Sequence, residues 1–240
     1  MKKAFSILSW LMLIAVIILL MTFSTKKQKT ADCKVFEVVV AQSENHFVNE
    51  KIINNLLKEK NLHPLGKTKT KIAIDEMEKS IANHTLIKEV NAYSDIAGNV
   101  AVEIVQKRPI ARISTAINSF YIDEGGKRMP LSDSFTARTL VISGNVNFTE
   151  KGALFSLARF IDENPFWKAQ IMQIHQEVNG DLTLIPRVGY QQIVFGKAVN
   201  IEEKFSKLKL FYEKGISEEG WNNYLQINLK FKNQIVCTKK

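Results

Sequence analysis

The spacing of apolar positions changes along the chain, and the sharpest change lies at residues 99–113. Val100, Val102 and Ile104 recur at every second position, which predicts a strand with one apolar face. Pro109 then interrupts the pattern, and because proline has no N–H to offer a ladder, a central strand should not run through it. Apolar alternation resumes immediately afterwards. We interpret this stretch as a boundary between a small module and a larger one.

Upstream of the boundary, the pattern predicts a small module with the element order β-α-α-β-β. Its first segment is rich in β-branched side chains, as strands are. Asn49 is a suitable N-cap for the first helix, and Pro64 and Gly66 terminate it. The predicted elements are a strand at 35–41, helices that begin near 49 and at 74, and strands at 86–93 and 100–105.

Downstream of the boundary, the pattern predicts a larger module in which strands dominate. Gly125-Gly126 and Asn179-Gly180 are hairpin signals. Thr149 is placed to cap a helix that Asn164-Pro165 should end. The predicted elements are strands at 120–123, 139–144, 171–178, 182–185 and 193–195, a helix after 149, and a helix at 201–212.

The last segment, residues 224–237, has the cleanest alternation in the chain. Leu225, Ile227, Leu229 and Phe231 alternate with polar residues, which predicts one strand with a buried face and a wet face. The pattern leaves open whether Lys232-Asn233 forms a turn or lets the strand continue.

The first 25 residues differ from the rest. Residues 4–25 contain no charged side chain, and a helix of that length rises about 33 Å, enough to cross a hydrocarbon core of roughly 30 Å. A cleaved signal peptide is the alternative, but the apolar run is long and no A-x-A-like site follows it. The predicted organisation is a cytoplasmic tail at 1–3, a transmembrane helix at 4–25, a linker at 26–34, the small module at 35–109 and the larger one at 110–240.

The net charge of +9 is concentrated at the N-terminus. Five lysines lie in the first 30 residues, which leaves 28 basic against 24 acidic residues in the remainder. This modest excess does not indicate a nucleic-acid surface. Lysines flank both sides of the predicted span, so charge alone does not decide its orientation. Cys33 and Cys237 are too few for a disulfide scaffold, and we favour two unpaired thiols.

No catalytic, cofactor-binding or metal-binding residue is predicted. The histidines are scattered without metal-ligand spacing. Ser143-Gly144 lacks the preceding glycine of a nucleophile elbow, and Asp123-Glu124 lies in a predicted turn, where acids are common. Phe166-Trp167 and Trp221 suit core packing better than exposed binding.

Several motifs resemble the FtsQ/DivIB family of bacterial cell-division proteins. The stretches NHTLIKEV at 83–90, VEIV at 102–105 and KRPIA at 107–111 resemble the POTRA domain of that family, a three-stranded sheet covered by two helices. YID at 121–123 and TLVISG at 139–144 resemble its second domain. NLKF at 228–231 stands where relatives often have D-L-R-Y, and the missing acid and arginine put any ion pair made there in doubt.

The resemblance implies a non-enzymatic divisome scaffold of α+β fold: a transmembrane helix, a POTRA domain and a larger mixed β-sheet domain with flanking helices. It would be a single-pass inner-membrane protein, with its N-terminus cytoplasmic and both domains periplasmic at the division septum. Implied partners are other divisome proteins, above all small coiled-coil proteins of the FtsB/FtsL type, through which septal peptidoglycan synthesis is localised and regulated. No cofactor, nucleic acid or small-molecule substrate is implied.

Two alternatives come from other classes: a POTRA-bearing component for polypeptide transport, and a periplasmic hydrolase. The chain lacks the repeated POTRA units or barrel strands of the first and the motifs of the second. An amphipathic terminal strand can add a partner strand at an open edge. We therefore predict a partner surface there, supported by the helix at 205–212 and formed by Tyr224, Gln226, Asn228, Lys230, Phe231, Lys232, Gln234 and Val236.

Overall fold

The computed structural model describes residue 10 and residues 12–19, 31–216 and 220–240. The chain divides into two compact units between Gln106 and Lys107, and each is described by itself. Most of the predicted transmembrane span at 4–25 lies outside the described residues. Among those that are described, no helix combines the length and the apolar character needed to cross a membrane.

The first unit confirms the predicted β-α-α-β-β order. Its three strands form a sheet in the order β1-β3-β2, in which β3 pairs parallel with β1 and antiparallel with β2. The elements are β1 (Phe36–Val40), α1 (Glu50–Glu59), a 3-10 turn (Lys69–Lys71), α2 (Ile74–Ala82), β2 (Ile87–Ser94) and β3 (Val100–Gln106).

Local contacts fix the start of α1 and the segment that precedes β1. The Asn49 side chain accepts a hydrogen bond from the Ile52 N–H at 3.0 Å, as predicted for an N-cap. Residues 31–33, which the sequence interpretation assigned to the linker, instead pair with the segment before the 3-10 turn. Asp32 forms a bridge with Thr68, and the buried Cys33 donates its N–H to the Lys67 carbonyl.

The second unit is built on a nine-stranded mixed sheet with the order β12-β11-β10-β9-β8-β7-β4-β5-β6. Its strands are β4 (Pro109–Ser114), β5 (Ser119–Asp123), β6 (Arg128–Met129), β7 (Leu140–Gly144), β8 (Ile171–Gln176), β9 (Leu182–Pro186), β10 (Gln192–Gly196), β11 (Tyr224–Asn228) and β12 (Val236–Lys239). Its helices are α3 (Ala153–Glu163), α4 (Pro165–Gln170) and α5 (Ile201–Lys214).

One continuous core holds this unit together. Register places a row of buried apolar side chains across neighbouring strands: Ile113, Ile142, Ile174, Leu184, Ile193 and Ile227. Buried side chains of α3 and α5 belong to the same cluster, among them Leu157 and Phe205. The helices therefore stabilise the sheet through apolar burial, which contributes about 25 cal/mol for each Å² removed from water.

Pro109 is the first residue of β4, a position in which proline is tolerated because no ladder continues upstream. Arg108, the residue before it, fixes the start of β4 against α3 through an ion pair. Arg108 Nη1 lies 2.8 Å from Asp162 Oδ2 on α3, and Lys168 Nζ lies 2.9 Å from the other oxygen of the same carboxylate. Because the Asp162 side chain is only 7% exposed, this pairing keeps its buried charge compensated.

Two local predictions in this unit are wrong, the helix cap at Thr149 and the burial of Phe166. Thr149 does not cap α3, which begins at Ala153 behind Gly152 without a side-chain cap. Asn164-Pro165 ends α3 as predicted but also starts α4. The Asn164 carboxamide accepts from the next two free backbone N–H groups, and Pro165 occupies the first helical turn. Trp167 is buried as predicted, whereas Phe166 is 44% exposed.

Gly144 provides a stability test of the parallel β7–β8 pair. Its φ is +91°, and a Cβ there would lie 2.2 Å from the Gln176 carbonyl oxygen. Gly180 also has a positive φ, but a Cβ there would approach side-chain ends and no backbone atom, Lys197 Nζ at 3.2 Å and Gln176 Nε2 at 3.9 Å. Both changes place a side chain at a positive φ, but Gly144→Ala also creates a clash with a backbone oxygen. We therefore expect Gly144→Ala to lower the free energy of unfolding by about 1–3 kcal/mol more than Gly180→Ala. Urea denaturation measures both, and equal losses would contradict the close approach.

Candidate partner-binding edge

The terminal segment is a hairpin, which answers the question that the alternation left open at Lys232-Asn233. β11 and β12 pair antiparallel, with Ile227 opposite Cys237 and Asn228 opposite Val236. The connection turns at residues 231–233, where Asn233 has a φ of +59°. Asparagine tolerates this left-handed conformation better than most residues, so Lys232-Asn233 is a turn.

The predicted apolar face is correct for only half of its members. Ile227 and Leu229 are fully buried, but Leu225 is 50% exposed and Phe231 is 46% exposed. The register shifts between Tyr224 and Gln226, so the intervening Leu225 does not stay on the core face. Phe231 lies beyond the end of β11, where strand alternation no longer applies.

β11 is an interior strand and cannot itself receive a partner strand. It pairs with β10 on one side and β12 on the other, so its main chain is already bonded. The open edge is β12, which among the strands of the described residues pairs with β11 alone. This corrects the prediction that the strand beginning at Tyr224 presents the edge.

Main-chain bonds show which groups of β12 face outward. The Lys240 N–H donates to the Asn223 carbonyl, which lies toward β11. Because the backbone of a strand alternates in direction, Thr238 and Val236 also face β11, while the N–H and C=O groups of Cys237 and Lys239 face the open edge. On the other side of β11, the Leu229 N–H donates to the Val194 carbonyl, in agreement with this alternation.

The opposite edge of the same sheet is less suited to strand addition. β6 contains only Arg128 and Met129, and Pro130 follows directly. A short edge with an adjoining proline offers few main-chain groups. Of the two edges of the nine-stranded sheet, β12 is therefore the better template.

The eight predicted partner residues fall into three groups in the structure. Those on β11 are half-buried, and the ring of Tyr224 packs against Phe211 of α5 with centroids 5.6 Å apart. The Asn228 side chain accepts the Lys230 N–H at 3.0 Å, which caps the start of the connection. Tyr224, Gln226 and Asn228 lie on β11, Lys230, Phe231, Lys232 and Gln234 lie in the connection, and Val236 lies on β12.

Sequence reasoning missed the side chains that hold this hairpin. Lys230 Nζ lies 2.8 Å from Asp181 Oδ2, and Lys207 Nζ of α5 donates to the Phe231 carbonyl at 2.9 Å. It also missed Cys237 and Lys239 as the residues with outward main-chain groups. The polar pair Lys232-Asn233 was the one signal that could have revealed the turn.

A buried lysine supports β10, the strand on which the hairpin is built. Lys204 Nζ donates to the carbonyls of Phe195 and Lys197 at 2.8 Å each and lies 4.5 Å from the centre of the Phe195 ring. Burial, followed by the nearby charge of Lys207, lowers the pKa of Lys204. The ammonium group thus ties α5 to the end of β10.

A serine and a histidine meet on the sheet, in a pairing that follows from strand register. Ser143 and His175 are opposite each other on the parallel strands β7 and β8, and Ser143 Oγ lies 3.1 Å from His175 Nδ1. Gln173 donates to the same hydroxyl at 2.8 Å. Within the described part of the chain, no group of three potential metal ligands comes together.

The comparisons with known proteins give the family. A family model described as FtsQ/DivIB, C-terminal related, matches residues 108–238, which is more than half of the chain. The chain belongs to this FtsQ/DivIB-related family. A POTRA-like domain model matches residues 31–105, so both modules fit the resemblance seen in the sequence, which is confirmed. No curated protein matches the chain as a relative.

Membership in the FtsQ/DivIB family narrows the function. FtsQ/DivIB and POTRA domains are non-catalytic protein-interaction domains, and the family is associated with cell division. The chain is therefore a division-associated scaffold. In this FtsQ/DivIB-related protein, β12 is the better suited of the two edges of the nine-stranded sheet for strand addition.

Lys204 allows the support of this hairpin to be tested. Lys204→Met keeps most of the apolar stem but removes a donor from the Phe195 and Lys197 carbonyls, of which that of Lys197 keeps a second donor, the Val199 N–H. We therefore expect the free energy of unfolding to fall by about 1–3 kcal/mol. Lys209→Met is a matched control on the same helix. Lys209 is exposed, and its ion pair with Glu213 is long, at 3.9 Å, and worth at most about 0.5 kcal/mol. Urea denaturation compares them, and equal stability of the two variants would contradict a supporting role.

Proposed function

We propose that this protein is a membrane-anchored divisome scaffold that receives a strand of another division protein at β12. The observation that carries the proposal is the open edge of β12 at the end of a large sheet. An added strand gains affinity from main-chain hydrogen bonds and specificity from the side chains around it. The outward groups of Cys237 and Lys239 would make those bonds.

The proposed partners are small coiled-coil division proteins of the FtsB/FtsL type, together with other divisome proteins. The family match to residues 108–238 supports a division partner. Around the edge, Phe231 and Val236 are 46% and 44% exposed and could contact an apolar partner side chain. The remaining predicted surface residues flank them, and those on β11 would contribute side chains only.

The proposed anchor is the uncharged stretch at 4–25, which is long enough to span a bilayer. The N-terminus would be cytoplasmic, with the POTRA module at 35–109 and the sheet module at 110–240 in the periplasm at the septum. Long domains that follow an N-terminal span translocate largely regardless of charge, so the flanking lysines do not oppose this topology. Through its partners, the protein would localise and regulate septal peptidoglycan synthesis.

Strand addition is tested at Lys239, whose N–H faces the open edge. Lys239→Pro removes this N–H without removing a bond to β11, and Lys239→Ala removes the side chain alone. We expect the proline variant to bind the FtsB/FtsL-type partner about tenfold more weakly than the alanine variant, because one interfacial hydrogen bond and its neighbours are lost. Calorimetric titration with the purified periplasmic part of the partner measures both affinities.

Circular dichroism and the unfolding midpoint serve as the fold control for the two variants. Equal affinities for the proline and alanine variants would exclude main-chain pairing at this edge.

The cellular role is tested by imaging and depletion. A fluorescent fusion should form a band at midcell, and depletion should give filaments that fail to septate. An even envelope signal with normal division would favour the alternative of a POTRA-bearing transport component, for which the POTRA-like match is the supporting observation.

A further inference from the structure

Asp181 connects three neighbouring strands of the second unit through its side chain. It directly precedes β9, and its carboxylate oxygens lie 2.8 Å from Lys230 Nζ and 3.3 Å from Lys197 Nζ. Lys197 directly follows β10, and Lys230 lies in the connection between β11 and β12. One carboxylate thus ties the start of β9 to the terminal hairpin, 49 residues away in sequence.

The path of the Lys230 side chain is built into the sheet. It crosses Gly196 at the end of β10, where a Cβ would lie 2.8 Å from Lys230 Cγ. Gly196 has a φ of +70°, which favours glycine at this point for a second reason. The absence of a side chain at this position leaves the space through which Lys230 reaches Asp181.

The charge on Asp181 is favoured by this arrangement. Its side chain is only 18% exposed, yet the hydrogen bond from Lys230, and then that from Lys197, holds the pKa of Asp181 below its usual value against the opposing effect of burial. The carboxylate therefore stays ionised across the physiological range.

The Lys230 contact comes at the point where the chain leaves β11. Leu229 is fully buried and its N–H is bonded to β10, so the chain up to that residue is fixed by the sheet. Beyond it, the connection runs exposed from Lys230 to Gln234 before β12 begins. Among the described residues, the polar side-chain contacts to the connection are the Asn228 cap, the Asp181 pair and the Lys207 donation to Phe231. Ile235, directly before β12, packs against the core.

We propose that Asp181 is a positioning residue for the partner-binding edge. By holding Lys230 against Gly196, it fixes the direction of the connection and keeps β12 in register on β11. The edge is then a preformed template, and a partner strand binds without the cost of ordering the hairpin. Its effect on partner binding rests on the proposed function, whereas its effect on the hairpin does not.

The test measures hydrogen exchange of the Thr238 and Lys240 amides, which face β11, by NMR on the purified protein. Asp181→Asn is nearly isosteric and retains the bonds that the Asp181 main chain makes in the β8–β9 turn. These are the Asp181 N–H to Asn179 Oδ1 and the Glu177 N–H to the Asp181 carbonyl. We expect exchange at both amides to become about fivefold to tenfold faster, because the change removes two ion pairs that share one largely buried carboxylate. Asp181→Glu should restore most of the protection because it restores the charge.

Matched variants assign the effect to the ion pair. Lys230→Met should also accelerate exchange, and the double variant should be no faster than Asp181→Asn alone, because that change already removes the Lys230 contact. Lys232→Met is the charge-matched control, since Lys232 is exposed on the same connection and makes no ion pair with any residue that the structure describes. It should leave exchange unchanged.

Each outcome of the exchange measurements either supports or overturns the positioning role of Asp181. Unchanged exchange in Asp181→Asn, or additive effects of the two single changes, would overturn the proposal whatever the partner does. Equal acceleration at the Glu177 amide would also overturn it, because that result means disruption of the β8–β9 turn. Faster exchange at β12 alone supports positioning even if the wild-type protein binds no FtsB/FtsL-type partner, in which case the proposed function fails separately.

Discussion

The terminal hairpin of the second unit depends on the way α5 returns the chain to the sheet. β10 and β11 are parallel neighbours, and parallel strands need a crossover connection, which α5 supplies. The helix is held by burial of Phe205, Leu208 and Tyr212 in the common core. With β11 laid down beside β10, the following segment can pair only on the far side of β11, so the sheet ends in β12.

This arrangement separates two roles that a single terminal strand would have to combine. β11 contributes Ile227 to the core and is bonded on both sides, so it anchors the hairpin. β12 contributes mainly main-chain groups and exposed side chains. Because only Cys237 of β12 packs against the core, the other side chains of this strand can vary without loss of core packing.

The elements that could be predicted from the sequence are those whose signal is local. The order of the first unit, the Asn49 cap and the Asn179-Gly180 hairpin each follow from periodicity or from the chemistry of one turn. The terminal turn was ambiguous because polar residues alternate equally well in a strand and in a short connection. Leu225 was misassigned because a one-residue bulge shifts the faces and leaves no mark in the pattern.

What could not be predicted is the set of contacts between distant residues. Nothing in the neighbourhood of Asp181 indicates that it binds Lys230, since the contact depends on the order β9-β10-β11 and on the space above Gly196. The departure from D-L-R-Y at 228–231 made an ion pair doubtful, yet the lysine finds its acid within the same unit. A motif can thus lose its local charge pattern while the fold supplies the missing partner.

The charges around β12 also bear on what can pair with it. An open edge is a template for any strand, including the same edge of a second copy. Lys239 is the last residue of β12, Lys240 follows it, and Lys232 lies on the adjoining connection. Two such edges paired with each other would bring lysines of both copies into one narrow ladder, where like charges are destabilising. The same charges cost nothing to an uncharged strand, so the proposed edge would disfavour self-association while remaining able to pair with a different protein.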